Sequence, residues 1–254
     1  MNILVTNDDG IYAEGILHLV NKLKRVATVF VIAPDREKSA TGHAITIHDP
    51  LRVTKFHGFS DGVKAYHVDG TPADCVKLGV STLLDDKPDL VISGINAGPN
   101  LGLDVLYSGT IAGAIEGVVQ EVPSIAISLG GHDDFNFEKA SDIVMTILLQ
   151  LLETDFLSKK TVVNINIPPL NSQDIKGVKF TKLGIRKYTN FYEHRSDPRG
   201  KSYYWLAGDL MELTNTLDTD VHAVDNYYVS ITPLHFDFTS HKDLERMKQS
   251  NFHL

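Results

Sequence analysis

Short apolar runs recur along the first two-thirds of the chain, each followed by a stretch with helical spacing. Ile3–Thr6, residues 27–33, Leu90–Ser93 and Ile125–Leu129 carry apolar side chains mostly at successive positions rather than alternate ones, and Val162–Ile167, interrupted by Asn164 and Asn166, closes the series. Strands of that kind are buried on both faces, as in the parallel sheet of an α/β protein. Among the connecting stretches, residues 14–25 place Ile16, Leu19, Val20 and Leu23 on one helix face. Glu14 at their start and Lys22, Lys24 and Arg25 at their end complement the helix dipole. Thr71-Pro72-Ala73-Asp74 is a helix start, with a Thr cap, Pro at the first helical position and an acid three residues after the cap. Gly109–Gln120 and Ile143–Leu152 also read as helices. These patterns predict a largely parallel sheet covered by helices, with Pro34 stopping the strand at 27–33.

Beyond Pro168-Pro169 the pattern changes. Residues 178–183 and 203–206 read as exposed strands separated by a polar stretch, Tyr227–Thr232 as another strand, and Ser240–Asp243 as the cap of a final short helix. This part is too thin in apolar residues to build its own core. We expect a catalytic core over residues 1–170. Residues 171–254 then form a hairpin and helix arm that packs on the core and on a neighbouring subunit.

Charge and composition narrow the partners. The net charge of −8 disfavours nucleic-acid polymers and anionic membranes, but leaves room for a small phosphorylated substrate beside a cation. Cys75 is the only cysteine, so neither an internal disulfide nor a thiolate cluster can form; inside a helix it reads as a core residue. With no secretory leader and no membrane-length apolar segment, cytoplasmic residence is the expectation.

Ligands of an open parallel sheet bind beyond the carboxyl ends of its strands, and the polar clusters fall there. The first strand runs into Asn7-Asp8-Asp9-Gly10. Adjacent carboxylates repel unless a cation sits with them, and Gly10 permits the turn that brings both to one rim. Acidic residues after a strand are also common turn formers. Ser39 lies in the loop after the second strand, and Asn96 follows the strand ending at Ser93. Each alone is an ordinary loop residue. Together they supply hard oxygen donors and no sulfur, a set suited to Mg²⁺, Mn²⁺ or Ca²⁺. Ser108-Gly109-Thr110 opens a helix: its bland reading is a cap, its sharper one an anion site at the helix N-terminus. His43, close to Ser39 in sequence, is a candidate for a supporting or proton-relay role.

Several fingerprints are absent: Gly-x-Gly-x-x-Gly after the first strand, the P-loop and the Gly-x-Ser-x-Gly elbow. Gly10 and Ile11 stand where a haloacid-dehalogenase-type phosphatase needs its second aspartate.

Taken together, Asn7–Gly10, Ala33-Pro34-Asp35-Arg36 with Ser39, Asp69–Val76, Ser93-Gly94-Ile95-Asn96 with Gly98 and Asn100, and Asp104–Thr110 resemble the SurE survival-protein family of metal-dependent 5′-nucleotidases. Asp197–Gly200, Thr219-Asp220 and Val229–Leu234 are similar as well. The resemblance implies a Rossmann-like core and one divalent cation per subunit held by Asp8, Asp9, Ser39 and Asn96. It implies hydrolysis of nucleoside 5′-monophosphates, with 3′-nucleotides and short polyphosphate as further candidate substrates. It also implies a homodimer or homotetramer built through the C-terminal arm. Tyr227 stands where the family pattern has glycine before an aromatic, and Asp218 where glycine precedes Thr219-Asp220.

On this reading Asp8 and Asp9 are catalytic as well as ligating, and Asn96, Ser108, Gly109 and Thr110 bind the phosphate. Two rivals use the same scaffold. One is a non-catalytic nucleotide-binding regulatory protein; the other is a phosphatase that forms an aspartyl-phosphate on Asp8.

Overall fold

In the computed structural model, which describes residues 1–170, 174–189, 191–211 and 213–250, each of the five apolar runs forms a strand, while Val53–Phe56 and Lys64–Val68 are two further strands that the sequence pattern does not announce. The strands are β1 (Asn2–Thr6), β2 (Thr28–Pro34), β3 (Val53–Phe56), β4 (Lys64–Val68), β5 (Leu90–Ala97), β6 (Ser124–Leu129), β7 (Val162–Ile167), β8 (Val178–Phe180), β9 (Phe191–Ser196), β10 (Ser202–Ala207) and β11 (Val229–Leu234). The helices are α1 (Glu14–Leu23), α2 (Pro72–Leu78), α3 (Gly109–Val119), α4 (Phe137–Leu152), α5 (Asp220–Asp225) and α6 (His241–Lys248). One sheet runs in the order β3-β4-β2-β1-β5-β6-β7-β11-β8. Its central strands are parallel; β3 pairs antiparallel with β4, and β11 antiparallel with β7. The class is α/β, with a mostly parallel sheet flanked by helices.

β1 shows why its residues are apolar without alternation. Ile3 and Val5 pack on one face with Leu19 of α1 and Val144 of α4, while Leu4 packs on the other with Ile32, Val91 and Cys75 of α2. All three β1 side chains are fully buried. Each such side chain stabilises the fold by about 1.5–3 kcal/mol. Cys75 is the core residue its position suggested.

The helix start at Thr71 is a capping box: Thr71 Oγ1 accepts from Asp74 N–H at 3.1 Å, and Asp74 Oδ2 from Thr71 N–H at 3.0 Å. Pro34 does not stop β2 but is its last residue, paired with Val68, and its carbonyl accepts from Ile11 N–H at 2.9 Å. The lost N–H matters little at a strand end. α4 begins at Phe137, a turn and a half before the expected start, where Asn136 Oδ1 caps Lys139 N–H at 2.9 Å. β9 lies in the stretch read as a polar connection, and every one of its residues is exposed.

In the C-terminal part, β11 and β8 extend the central sheet, whereas β9 and β10 pair only with each other. Residues 171–173, where the extension is expected to begin, lie outside the described residues. No described helix is long and apolar enough to cross a membrane.

Candidate metal and phosphate site

Asp8 and Asp9 sit in the bend just past β1, on the rim formed by the carboxyl ends of β1, β2 and β5. The turn is fixed by Asn7, whose Nδ2 donates to Gly10 O at 2.8 Å. Gly10 has φ +94, and a Cβ there would lie 3.0 Å from the carbonyl carbon of Arg36, so the close approach of the β2 loop depends on glycine.

Each carboxylate spends one oxygen on holding the rim together. Thr110 Oγ1 donates to Asp8 Oδ1 at 2.5 Å, tying β1 to the first turn of α3. Ala97 N–H donates to Asp9 Oδ2 at 3.1 Å, tying it to the end of β5 beside Asn96. The main chain of Asp8 is also engaged: its carbonyl accepts from Lys38 N–H at 2.7 Å, next to Ser39. Four segments distant in sequence therefore meet at this acid pair.

The electrostatics are those of two carboxylates forced together. Burial pushes the Asp9 carboxyl up to about 6, the Asp8 charge adds to the rise, Ala97 N–H opposes it and Glu37 reinforces it. Asp8 is raised too, by burial first, against the hydrogen bonds of the Thr110 hydroxyl and of main-chain N–H groups. A divalent cation bound beside the pair would relieve this repulsion.

The neutral donors are oriented to suit one. The Asn96 amide turns its Nδ2 to Gly98 O at 2.7 Å, which leaves Oδ1 as the atom it could offer a cation. Ser39 Oγ donates its proton to Glu37 Oε1 at 2.7 Å and keeps lone pairs for a cation. Among the described residues no three His, Cys, Asp or Glu side chains gather as a metal group. The donor set fits Mg²⁺ or Mn²⁺.

α3 brings its N-terminus to the same rim. Ser108 Oγ caps Ile111 N–H at 3.1 Å, so the capping role is real, and the Thr110 main chain faces Asp8. Gly109 lies against Asp8: a Cβ would sit 2.8 Å from Asp8 Cβ and 2.9 Å from its Oδ2. Only glycine lets the helix end and the carboxylate approach this closely.

The sequence did not single out Glu37 or Glu116. Glu37 falls inside a loop motif, where an acid carries no distinguishing signal. Glu116 is an acid in a helix of small and apolar residues, yet it is buried and holds His43 Nε2 at 2.9 Å. Its position on an otherwise apolar helix was the one available clue.

The family model described as survival protein SurE matches residues 3–190. A protein of Alkaliphilus metalliredigens named 5′-nucleotidase SurE is 48% identical over 99% of this chain and 99% of its own length. One of the same name from Syntrophomonas wolfei is 50% identical over 98% of this chain and 94% of its own. The crystal structure of a SurE protein from Aquifex aeolicus superposes with a TM-score of 0.84 at 42% identity, covering 98% of both chains.

Proposed function

This chain belongs to the SurE survival-protein family, and from that membership we propose that it is a 5′-nucleotidase, a phosphoric monoester hydrolase releasing phosphate from nucleoside 5′-monophosphates with the aid of one divalent cation. The observation that carries the reading is the contact between Asp8 and the first turn of α3. It sets an acid pair directly beside a helix end built to bind an anion. A phosphate dianion and two carboxylates tolerate that proximity only with a cation among them.

A divalent cation held by Asp8, Asp9, Ser39 and Asn96, Mg²⁺ or Mn²⁺ by donor type, supplies Lewis-acid polarisation of a phosphoryl oxygen and a lowered pKa for attacking water. The Gly109 N–H and the Ser108 hydroxyl at the start of α3 receive non-bridging phosphate oxygens and the Asn96 loop closes the pocket, whereas the Thr110 hydroxyl, expected from the sequence to bind phosphate, is committed to Asp8 and holds the acid side instead. Asp8, buried and clamped by Thr110, is the fixed member of the pair. Asp9, more open, orients the attacking water through Oδ1. In-line displacement then needs little beyond positioning and charge stabilisation.

The exposed β9–β10 hairpin supports assembly into a dimer or tetramer. Phe191, Tyr192, Trp205 and Leu206 all face solvent in the single chain. Such a concentration of aromatic surface suits an interface between subunits. The acidic net charge accords with small nucleotides rather than nucleic-acid polymers as substrates, and cytoplasmic residence is part of this proposal.

The test is phosphate release from a panel of 5′- and 3′-nucleoside monophosphates and short polyphosphate, with Mg²⁺ or Mn²⁺ and with chelator. Cation-dependent release, greatest on 5′-monophosphates and reduced about 100-fold or more in Asp9→Asn, is the expected result. Tight nucleotide binding with no release under any metal condition overturns it.

A further inference from the structure

We propose that Glu116 and His43 form a positioning pair that holds the Ser39 loop against the cation site. The inference rests on the assignment of Ser39 as a ligand.

Residues 35–52, between β2 and β3, form no regular element. A connection this long keeps a ligand in place only if it is anchored on both sides of it. Before Ser39, the anchor is Lys38 N–H on Asp8 O. After it, Gly42 N–H donates to Tyr107 O at 2.9 Å, and His43 Nε2–H donates to Glu116 Oε2 at 2.9 Å. Farther on, the loop is sewn to the start of α2: Ala44 O accepts from Thr71 Oγ1, and Asp74 accepts from Thr46 N–H and Oγ1. The His43–Glu116 bond is therefore the side-chain anchor that follows Ser39 most closely and ties its loop to α3.

Its far end is unusually well fixed. The Glu116 side chain is 2% exposed. Besides His43 it accepts from Gln120 Nε2 at 2.7 Å and Lys77 Nζ at 3.2 Å. Burial pushes this carboxyl up, but the bonds from His43, Gln120 and Lys77 outweigh it and the net shift is downward. Glu116 is thus a rigid, ionised anchor, and the proposed hydrolysis uses it nowhere else. It stands six residues along the helix from Thr110, which clamps Asp8, so α3 sets both the acid pair and the loop opposite it. A helix is stiff over that distance, roughly 9 Å. The spacing between Asp8 and Ser39 is in this way referred to one rigid element.

The experiment measures Mn²⁺ binding to the full chain by electron paramagnetic resonance, without substrate, for the parent, Ser39→Ala, His43→Ala, His43→Gln and the Ser39→Ala/His43→Ala pair. Melting temperatures are recorded alongside. The expected result is one bound ion in the parent, affinity weakened ~10-fold in each single alanine variant, and no further loss in the double variant. His43→Gln, whose amide still offers a donor to Glu116, recovers most of the affinity, while melting temperatures change little. Parent-like Mn²⁺ affinity in His43→Ala, with Ser39→Ala weakened, overturns the positioning role and leaves the cation site standing. So do losses that multiply in the double variant. A parent that binds no Mn²⁺ removes the proposed function together with this inference.

Discussion

At the scale of residues, Asp9 shows what the acid pair costs without a cation. Its carboxyl rises from 3.8 to about 6 because burial and the Asp8 charge disfavour ionisation. A raised carboxyl binds its proton more tightly in the folded chain than in the unfolded one. The group therefore contributes most below about pH 4, and that contribution is lost as the pH climbs to about 6. In chelated protein, Asp9→Asn is expected to be more stable than the parent at pH 7.5, by ~1–3 kcal/mol, with the two converging near pH 4. Mn²⁺ should reverse the order at pH 7.5. Urea titrations at both pH values check this; an equal difference at both would contradict it. Tyr227 offers a second test, because its φ of +65 is left-handed and a side chain there is strained. Tyr227→Gly should exceed Tyr227→Ala in stability by about 1 kcal/mol in urea denaturation. The glycine expected from the family pattern is thus explained by backbone conformation. Asp8, Asp9, Ser39 and Asn96 could be put forward as a candidate set because oxygen-bearing side chains fall just past the carboxyl ends of successive strands. Glu116 was not, since its partner His43 lies 73 residues away and nothing local announces the pair.

At the scale of elements, β1, β2, β5, β6 and β7 were readable because they are buried on both faces, and α1 because it is amphipathic; β3, largely exposed at the sheet edge, and the half-buried β4 beside it were not. β9 was not, having no buried residue to impose a pattern. Asp220, at the start of α5, shows how the C-terminal part is joined to the site region. Its carboxylate accepts from Gly102 N–H at 2.9 Å, Gly184 N–H at 2.7 Å and Val221 N–H at 2.8 Å. Gly102 opens the 3-10 turn that leads into α3. Asp220→Ala strands these N–H groups and should cost ~3 kcal/mol or more, seen as a lower urea midpoint. Asp220→Asn keeps an acceptor and should cost less. Equal stability of the parent and the alanine variant would contradict this account of the junction.

At the scale of the whole molecule, the sheet delivers side chains from the ends of β1, β2 and β5 to one rim, and α3 brings its N-terminus to the same place. The β9–β10 hairpin, which pairs only with itself, should bind a second copy of the chain. Replacing Trp205 and Leu206 together with Asp is expected to shift light scattering from an oligomer to a monomer while the far-ultraviolet circular dichroism is kept. An unchanged mass would place the interface elsewhere. The most direct test of the central claim is anomalous diffraction at the manganese edge from crystals grown with Mn²⁺. One peak is expected beside Asp8 and Asp9, ~2.1–2.3 Å from the oxygens of Asp8, Asp9, Ser39 and Asn96 and facing the first turn of α3. A peak held by other residues, or none at that rim, would contradict it.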